Sequence, residues 1–174
     1  EKYAKEVDET KEQLLREAIE EKLFEKKYHP LSKVIINKII FVLIIVLEVV
    51  LLMFIGFSQG GGFNPIILMY GAFLLLGSYL LGEAMGQVFY QHELGRLGKY
   101  NRRTDSMPPV RFYIELILGI VIILFVAIVR AYGSGSIFGM ASVFLVTVIL
   151  SLIAAVFEAI SYQLSKMRGW AIRK

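Results

Sequence analysis

The stretch VIINKIIFVLIIVLEVVLLMFIGF, residues 34–57, determines the fold class of this chain. It is almost entirely apolar over more than the ~20 residues that an α-helix needs to cross the hydrocarbon core of a bilayer. Three further apolar stretches of sufficient length follow at 65–90, 110–129 and 137–164. We therefore expect an all-α membrane protein with four transmembrane helices.

The overall composition agrees with lipid as the main solvent. The 174 residues are 56% hydrophobic with a mean hydropathy of +0.63, whereas soluble domains are usually ~45–50% apolar. The chain begins at Glu1 in a charged helical pattern without an initiator Met, so we expect residues upstream of it. The first 33 residues are too charged to supply the apolar region of a signal peptide.

Lysine and arginine predict the orientation of the spans. They are concentrated beside the first span, between the second and third, and after the fourth, whereas only Arg130 lies at the other edge. Because cytoplasmic loops carry an excess of these residues, we expect both termini in the cytoplasm of a cell or cytoplasmic membrane. The predicted units are an N-terminal helix at 1–30, a bundle at 31–166 with a basic loop at 92–109, and a basic tail at 167–174.

The N-terminal segment is predicted to be a cytoplasmic amphipathic helix. Residues 1–28 hold nine acids, seven bases and no Gly or Pro. Its apolar stripe packs either against the 92–109 loop or the same helix of another subunit, or it docks a soluble partner. Nine acids disfavour contact with an anionic leaflet. The stripe consists of Ala4, Val7, Leu14, Leu15, Ala18, Ile19 and Leu23.

One glutamate lies inside each predicted span: Glu48, Glu83, Glu115 and Glu158. An ionisable group at the bilayer centre costs ~2.5–3.5 kcal/mol or more to insert, and it faces the bundle interior or a water-filled cavity. Arg111, one turn before Glu115, predicts an ion pair there.

The four glutamates differ in their access to a base. Glu158 is open to two interpretations, an ion pair with Lys166 or Arg111 or a functional carboxylate, and Glu83 is open to interpretation as a hydrogen-bonded packing residue. Glu48 has no base within several turns, since Lys38 is ~15 Å away along the helix. It is therefore the strongest functional candidate.

Polar and small residues accompany these glutamates at helical spacing. A seam at 147, 151, 154, 158, 161 and 165 follows the a/d pattern of close helix packing. These faces predict assembly into a homo-oligomer or membrane complex. The supporting polar groups are Asn37, Gln87, Gln91 and Ser151, and the packing ridge is Ser78, Gly82 and Gly86.

The sequence lacks the patterns of an enzyme. There is no cysteine, which removes thiolate catalysis and Cys-based metal sites. The Glu-x-x-His signature of di-iron bundles is absent, GGGFNP lacks the Lys-Ser/Thr of a phosphate-binding loop, and no G-x-S-x-G occurs. We expect no enzymatic activity, no metal and no cofactor.

The loop HELGRLGKYNRRTDSMPP, residues 92–109, supplies Arg96, Lys99, Arg102 and Arg103. Four bases suit contact with anionic lipid headgroups or with a partner. Nucleic-acid binding needs a larger basic patch with aromatic side chains placed for stacking, so no nucleic acid is expected.

The segment from Glu48 to Phe57-Ser58-Gln59-Gly60 resembles the first helix of the small multidrug-resistance transporters, which are four-helix proteins with a proton-coupled glutamate midway along that helix. The resemblance covers about thirteen residues. The other helices give no comparable match, and this chain adds a charged N-terminal helix, so the resemblance does not assign it to that family. It implies proton coupling at Glu48.

Two functions follow as expectations. The first is an ion-conducting or proton-coupled pathway lined by the four glutamates. If all four glutamates are paired with basic residues, or all are fully packed and dry, this hypothesis fails. The second is a non-transporting anchor or assembly subunit that holds a soluble partner through residues 1–28.

Overall fold

The computed structural model describes residues 2–28, 30–58 and 64–172, and all regular structure in these ranges is helical. Four of the helices are long and apolar enough to cross a membrane, which confirms the expected fold class at the level of length and composition. The helices are α1 (Lys2–Tyr28), α2 (Leu31–Ser58), α3 (Ile66–Arg96), α4 (Arg102–Asp105), α5 (Pro109–Tyr132) and α6 (Ile137–Ile172).

All four long helices extend beyond the apolar stretches that predicted them, and α3 and α6 extend furthest. α3 continues to Arg96, so it includes the first residues of the predicted 92–109 loop, and α6 continues into the predicted tail. The predicted bounds were drawn where the apolar residues end. A helix can continue past that point into water, because Gln, Glu and Arg are good helix formers. After α3, Gly98 adopts a positive φ of 66°, and the Lys99 N–H bonds back to the Leu94 carbonyl.

The contacts between α2 and α6 fix their relative direction. Ser161 donates to the Val34 carbonyl near the start of α2, and Ser151 contacts Glu48 further along it. The residue number rises on one helix as it falls on the other, so the two helices are antiparallel.

α3 runs parallel to α6 at very close range. A Cβ added to Gly82 would lie 2.9 Å from the Ala155 carbonyl oxygen, and one added to Gly86 would lie 2.8 Å from the Ala159 carbonyl oxygen. Gly119 of α5 makes the same kind of approach to the other side of α3. Small residues thus let three backbones pack in direct contact.

These directions define two ends of the bundle. At one end, which we call the basic end, α2 and α5 begin while α3 and α6 finish, and Lys33, Arg111 and Lys166 lie there. Towards the opposite end the core is an apolar cluster of Leu52, Leu74, Val126 and Val143. Outward-facing side chains such as Phe54 and Phe125 are exposed, as expected for a surface in lipid.

α1 contacts α6 but leaves its apolar stripe uncovered. Residues 7–23 are all exposed, and the large apolar side chains among them are 50–65% accessible. The side chain of Ala4 lies outside the described residues. No part of the described chain therefore covers this stripe.

Candidate functional site

Glu48 lies in a buried polar layer midway along the bundle. Its side chain is fully buried, and the Ser151 hydroxyl lies 3.0 and 3.2 Å from its two carboxylate oxygens. Among the described residues no basic side chain bonds to it. Ser78 and Thr147 are also fully buried, and their hydroxyl oxygens have no hydrogen-bond partner in the described ranges of the chain.

The two serines share one level of the bundle. Ser78 lies one turn before Gly82, and Ser151 lies one turn before Ala155, which Gly82 contacts. Because α3 and α6 are parallel, Ser78 and Ser151 lie at the same height along the bundle axis. Ser151 bonds to Glu48, so this is also the height of the Glu48 carboxyl group. Hydroxyl groups from two helices therefore lie at the level of this carboxyl group, and that of Ser151 bonds to it.

A second polar layer joins α2 to α6 nearer the basic end. Lys38 Nζ lies 3.3 Å from Glu158 Oε1, and the side chains are 52% and 2% exposed. Lys166 and Arg111, the two bases considered for Glu158 from the sequence, do not pair with it among the described residues. The antiparallel α2 places Lys38 opposite Glu158, which spacing along one helix does not reveal. The other Glu158 carboxylate oxygen is buried and has no hydrogen-bond partner among the residues that the structure describes.

A third layer is organised by Arg111. Its Nε donates to Glu115 at 2.7 Å, as expected from their spacing, and its Nη2 donates to Glu83 at 3.3 Å across the α3–α5 interface. The Tyr79 hydroxyl donates to the other oxygen of Glu83 at 2.6 Å. One guanidinium group thus serves two carboxylates, so three of the four intramembrane glutamates are paired with a base.

A polar cavity of about 340 Å³ lies at the basic end of these layers. The Tyr162 hydroxyl donates to the side-chain oxygen Oε1 of Gln87 at 3.0 Å, and the side-chain nitrogen Nε2 of Gln87 donates to the backbone carbonyl of Asp105 at 2.8 Å. These bonds tie α6, α3 and α4 together at the cavity wall. Arg111, Lys166 and Trp170 also line the cavity.

The remaining predicted residues lie outside this succession of layers. Asn37 bonds to the Lys33 carbonyl of its own helix and not to Glu48, and Gln91 is half-buried. Gln59 lies outside the described residues. The predicted headgroup-binding residues are dispersed: Arg96 pairs with Glu93, Lys99 lies over the Trp170 ring, and Arg102 and Arg103 are exposed.

The packing residues lie where the sequence places them. Ser78, Gly82 and Gly86 form the buried face of α3, and Ser165 alone of the six seam residues on α6 is exposed. Both patterns are buried within the single chain.

Sequence reasoning missed Lys38, Tyr79, Tyr162 and Asp105. Lys38 carried a usable signal, because a lysine within an apolar stretch is itself an ionisable group that needs a partner. Tyr79 also carried a signal, because it precedes Glu83 by one helical turn on the same face of α3. Tyr162 carried none for this site, since an aromatic residue near the end of a span is typical of an interfacial anchor.

Within the described ranges, no three His, Cys, Asp or Glu side chains converge as metal ligands. Comparisons with protein-family models, curated protein sequences and solved structures gave no match to this chain. Function is therefore inferred from the geometry of the polar layers.

Proposed function

We propose that this chain is a proton-coupled integral membrane protein in which Glu48 binds and releases the proton. The observation that carries the proposal is the placement of Glu48. It is fully buried near the middle of an apolar helix, it has no basic partner among the described residues, and Ser151 hydrogen-bonds to its carboxylate. An unpaired ionisable group inside a membrane span is a functional site by default.

The other carboxylates support a route between Glu48 and the basic end. Ser151 and Glu158 are seven residues apart on α6, or ~10 Å along the axis. Glu83 and Glu115 follow, and the polar cavity lies beyond them. Proton relays in membrane proteins consist of such successions of titratable groups.

The basic partners favour a proton over a hydrated cation. Cation-selective pores present rings of carboxylates that compensate the charge of the ion. Here Lys38 neutralises Glu158, and Arg111 is shared by Glu83 and Glu115. Their positive charges oppose the passage of a second cation, whereas a proton can move by exchange between titratable groups.

Each chain would carry its own pathway. Glu48 is buried between α2 and α6 of one chain, so no symmetric ring is needed to complete its environment. Because the seam and the glycine ridge are buried within the chain, they give no reason for an oligomer. Assembly stays a prediction that depends on α1.

For the orientation we propose that the basic end faces the cytoplasm. The lysines and arginines beside α2, α3, α5 and α6 at that end support this, since positively charged residues accumulate on the cytoplasmic side. Protons would then enter or leave Glu48 through the cavity on the cytoplasmic side.

Proton flux into liposomes tests the proposal. The purified protein is reconstituted with a pH-sensitive dye inside the vesicles, and a pH gradient is applied with and without a membrane potential. We expect flux from the native chain and its loss in Glu48→Gln. Glu93→Gln is the matched control, because Glu93 pairs with Arg96 near the end of α3, away from the Glu48 layer.

Two results would overturn this assignment. One is equal flux from the native chain and Glu48→Gln. The other is the absence of flux from a folded native chain under every gradient applied.

The anchor function is the second candidate, and the uncovered stripe on α1 supports it. Leu14, Leu15 and Ile19 are all more than half exposed, and an amphipathic helix can dock into a groove of a partner. Ile19→Glu should then abolish capture of the partner, whereas Gln13→Glu, on the opposite face of α1, should not. Capture that survives Ile19→Glu would exclude docking through this stripe.

A further inference from the structure

We propose that the cavity at the basic end binds the phosphate group of an anionic membrane lipid, with Lys166 as its principal charged contact. The inference depends on membrane insertion but not on proton transport.

The position of the cavity suits a lipid headgroup. Its walls come from the last turns of α3 and α6, the first turn of α5 and the loop that follows α4. Its volume of about 340 Å³ lies in the range of small-molecule sites, which is ~300–1,000 Å³. Basic pockets between transmembrane helices on the cytoplasmic side are known to take anionic headgroups.

Among the charged side chains that line the cavity, Lys166 is the base that can bind an added anion. Asp105 is already engaged, because the Tyr90 hydroxyl lies 3.3 Å from one carboxylate oxygen and the Asn101 N–H donates to the other at 2.9 Å. Arg111 is balanced by two glutamates. Lys166 lies 5.4 Å from the centre of the Tyr162 ring and forms no ion pair within the described residues.

Arg111 contributes hydrogen bonds in place of net charge. A guanidinium group has five N–H donors in a fixed planar arrangement. Within the described part of the chain, two of its nitrogens form hydrogen bonds, Nε with Glu115 and Nη2 with Glu83. Arg111 and Lys166 both line the cavity, so the two side chains can bind one phosphate group together.

The apolar part of the lining fits the rest of a lipid. Trp170, Met107 and Pro108 line the same cavity as the charged groups. Tryptophan and tyrosine are enriched at the level of the headgroups. The wall therefore offers apolar contact to the glycerol region beside polar contact to the phosphate.

Native mass spectrometry of the full chain, purified in detergent and supplied with phosphatidylglycerol or phosphatidylcholine, tests the site. We expect a clear excess of bound phosphatidylglycerol. Lys166→Gln should lower that excess about fivefold, the contribution of one base near an anionic lipid, while Lys166→Arg should keep it. Lys33→Gln is the matched control, since Lys33 is an exposed lysine at the same end that does not line the cavity.

Competition with inorganic phosphate distinguishes the two possible ligands, the phosphate group of a lipid and a soluble phosphate compound. If an excess of it leaves phosphatidylglycerol bound, the lipid is the ligand; if it displaces the lipid at equal concentration, the site serves a soluble phosphate compound and the lipid assignment is wrong. Equal retention of the two lipids, or an equal loss in Lys33→Gln, would also overturn the proposal. Circular dichroism of each variant shows that it is folded.

Discussion

Replacing Gly82 by alanine should drive α3 and α6 apart. The new Cβ would lie 2.6 Å from Glu158 Cβ and 2.9 Å from the Ala155 carbonyl oxygen. The carbon–carbon distance is roughly 0.9 Å shorter than the ~3.5 Å of a favourable contact. The backbone oxygen can move away only if the helix moves with it.

The expected magnitude follows from this displacement. Overpacking of a well-packed interior by one methyl group costs about 1–3 kcal/mol. Separation of two packed helices by 0.5–1 Å also forfeits a quarter to a half of each contact energy along the interface. We therefore expect Gly82→Ala to lower the free energy of unfolding by about 2–3 kcal/mol.

The assay is unfolding in mixed micelles of detergent and SDS, followed by the fluorescence of Trp170, the single tryptophan. Trp170 packs against the cluster of Tyr90, Leu94 and Met167 at the basic end, so its signal reports the contact of α3 with α6. The midpoint for Gly82→Ala should move to a lower SDS fraction.

Gly95→Ala is the control on the same helix. A Cβ there would meet nothing within 4 Å, so the only expected effect is the gain of about 0.5–1 kcal/mol from replacing a helical glycine. If Gly82→Ala is as stable as Gly95→Ala, the close approach of α3 to α6 is wrong.

Two further predictions concern the polar layers. Arg111→Gln leaves Glu83 and Glu115 without their base and should lower the free energy of unfolding by about 1–2 kcal/mol. The loss is smaller than for a fully buried ion pair because the Arg111 side chain is partly exposed. Arg111→Lys should recover part of the loss in the same SDS titration. Ser151→Ala removes the hydroxyl that bonds to Glu48 and should cost about 1–2 kcal/mol. In a double-mutant cycle with Glu48→Gln the two effects should not add, and strict additivity would show that the serine and the glutamate do not interact.

Composition and local spacing account for most of the fold. Long apolar stretches predicted the four spans, and a base one turn before Glu115 predicted their ion pair, because both signals are contained in one helix. The small-residue ridge on α3 was also visible, since glycine and serine at helical spacing in a membrane span are typical of close contact between helices.

Contacts between helices were not predictable in the same way. Lys38 and Glu158 are 120 residues apart in sequence, and Ser151 and Glu48 are 103 apart. Which of them meet depends on which helices are neighbours and on their relative shift along the axis. Neither quantity follows from one sequence, so Lys38 was not considered as a partner of Glu158, and no partner was identified for Glu48.

The cavity at the basic end was hidden for a related reason. Gln87, Asp105 and Tyr162 come from three different helices, and Asp105 ends the short helix α4, within the segment that the sequence predicts only as a basic loop punctuated by proline. Its shape arises where the loop folds back over the ends of the helices.

Infrared difference spectroscopy of the reconstituted protein tests most directly whether Glu48 itself carries the proton. Spectra recorded as the pH on the side of the basic end is changed should contain a C=O stretching band of a protonated carboxyl group. We predict that this band is lost in Glu48→Gln, is shifted in frequency in Ser151→Ala, and is kept in Glu93→Gln. A pH-dependent band that is unchanged in Glu48→Gln would contradict the role proposed for Glu48, and so would the absence of any such band in a native chain that transports protons.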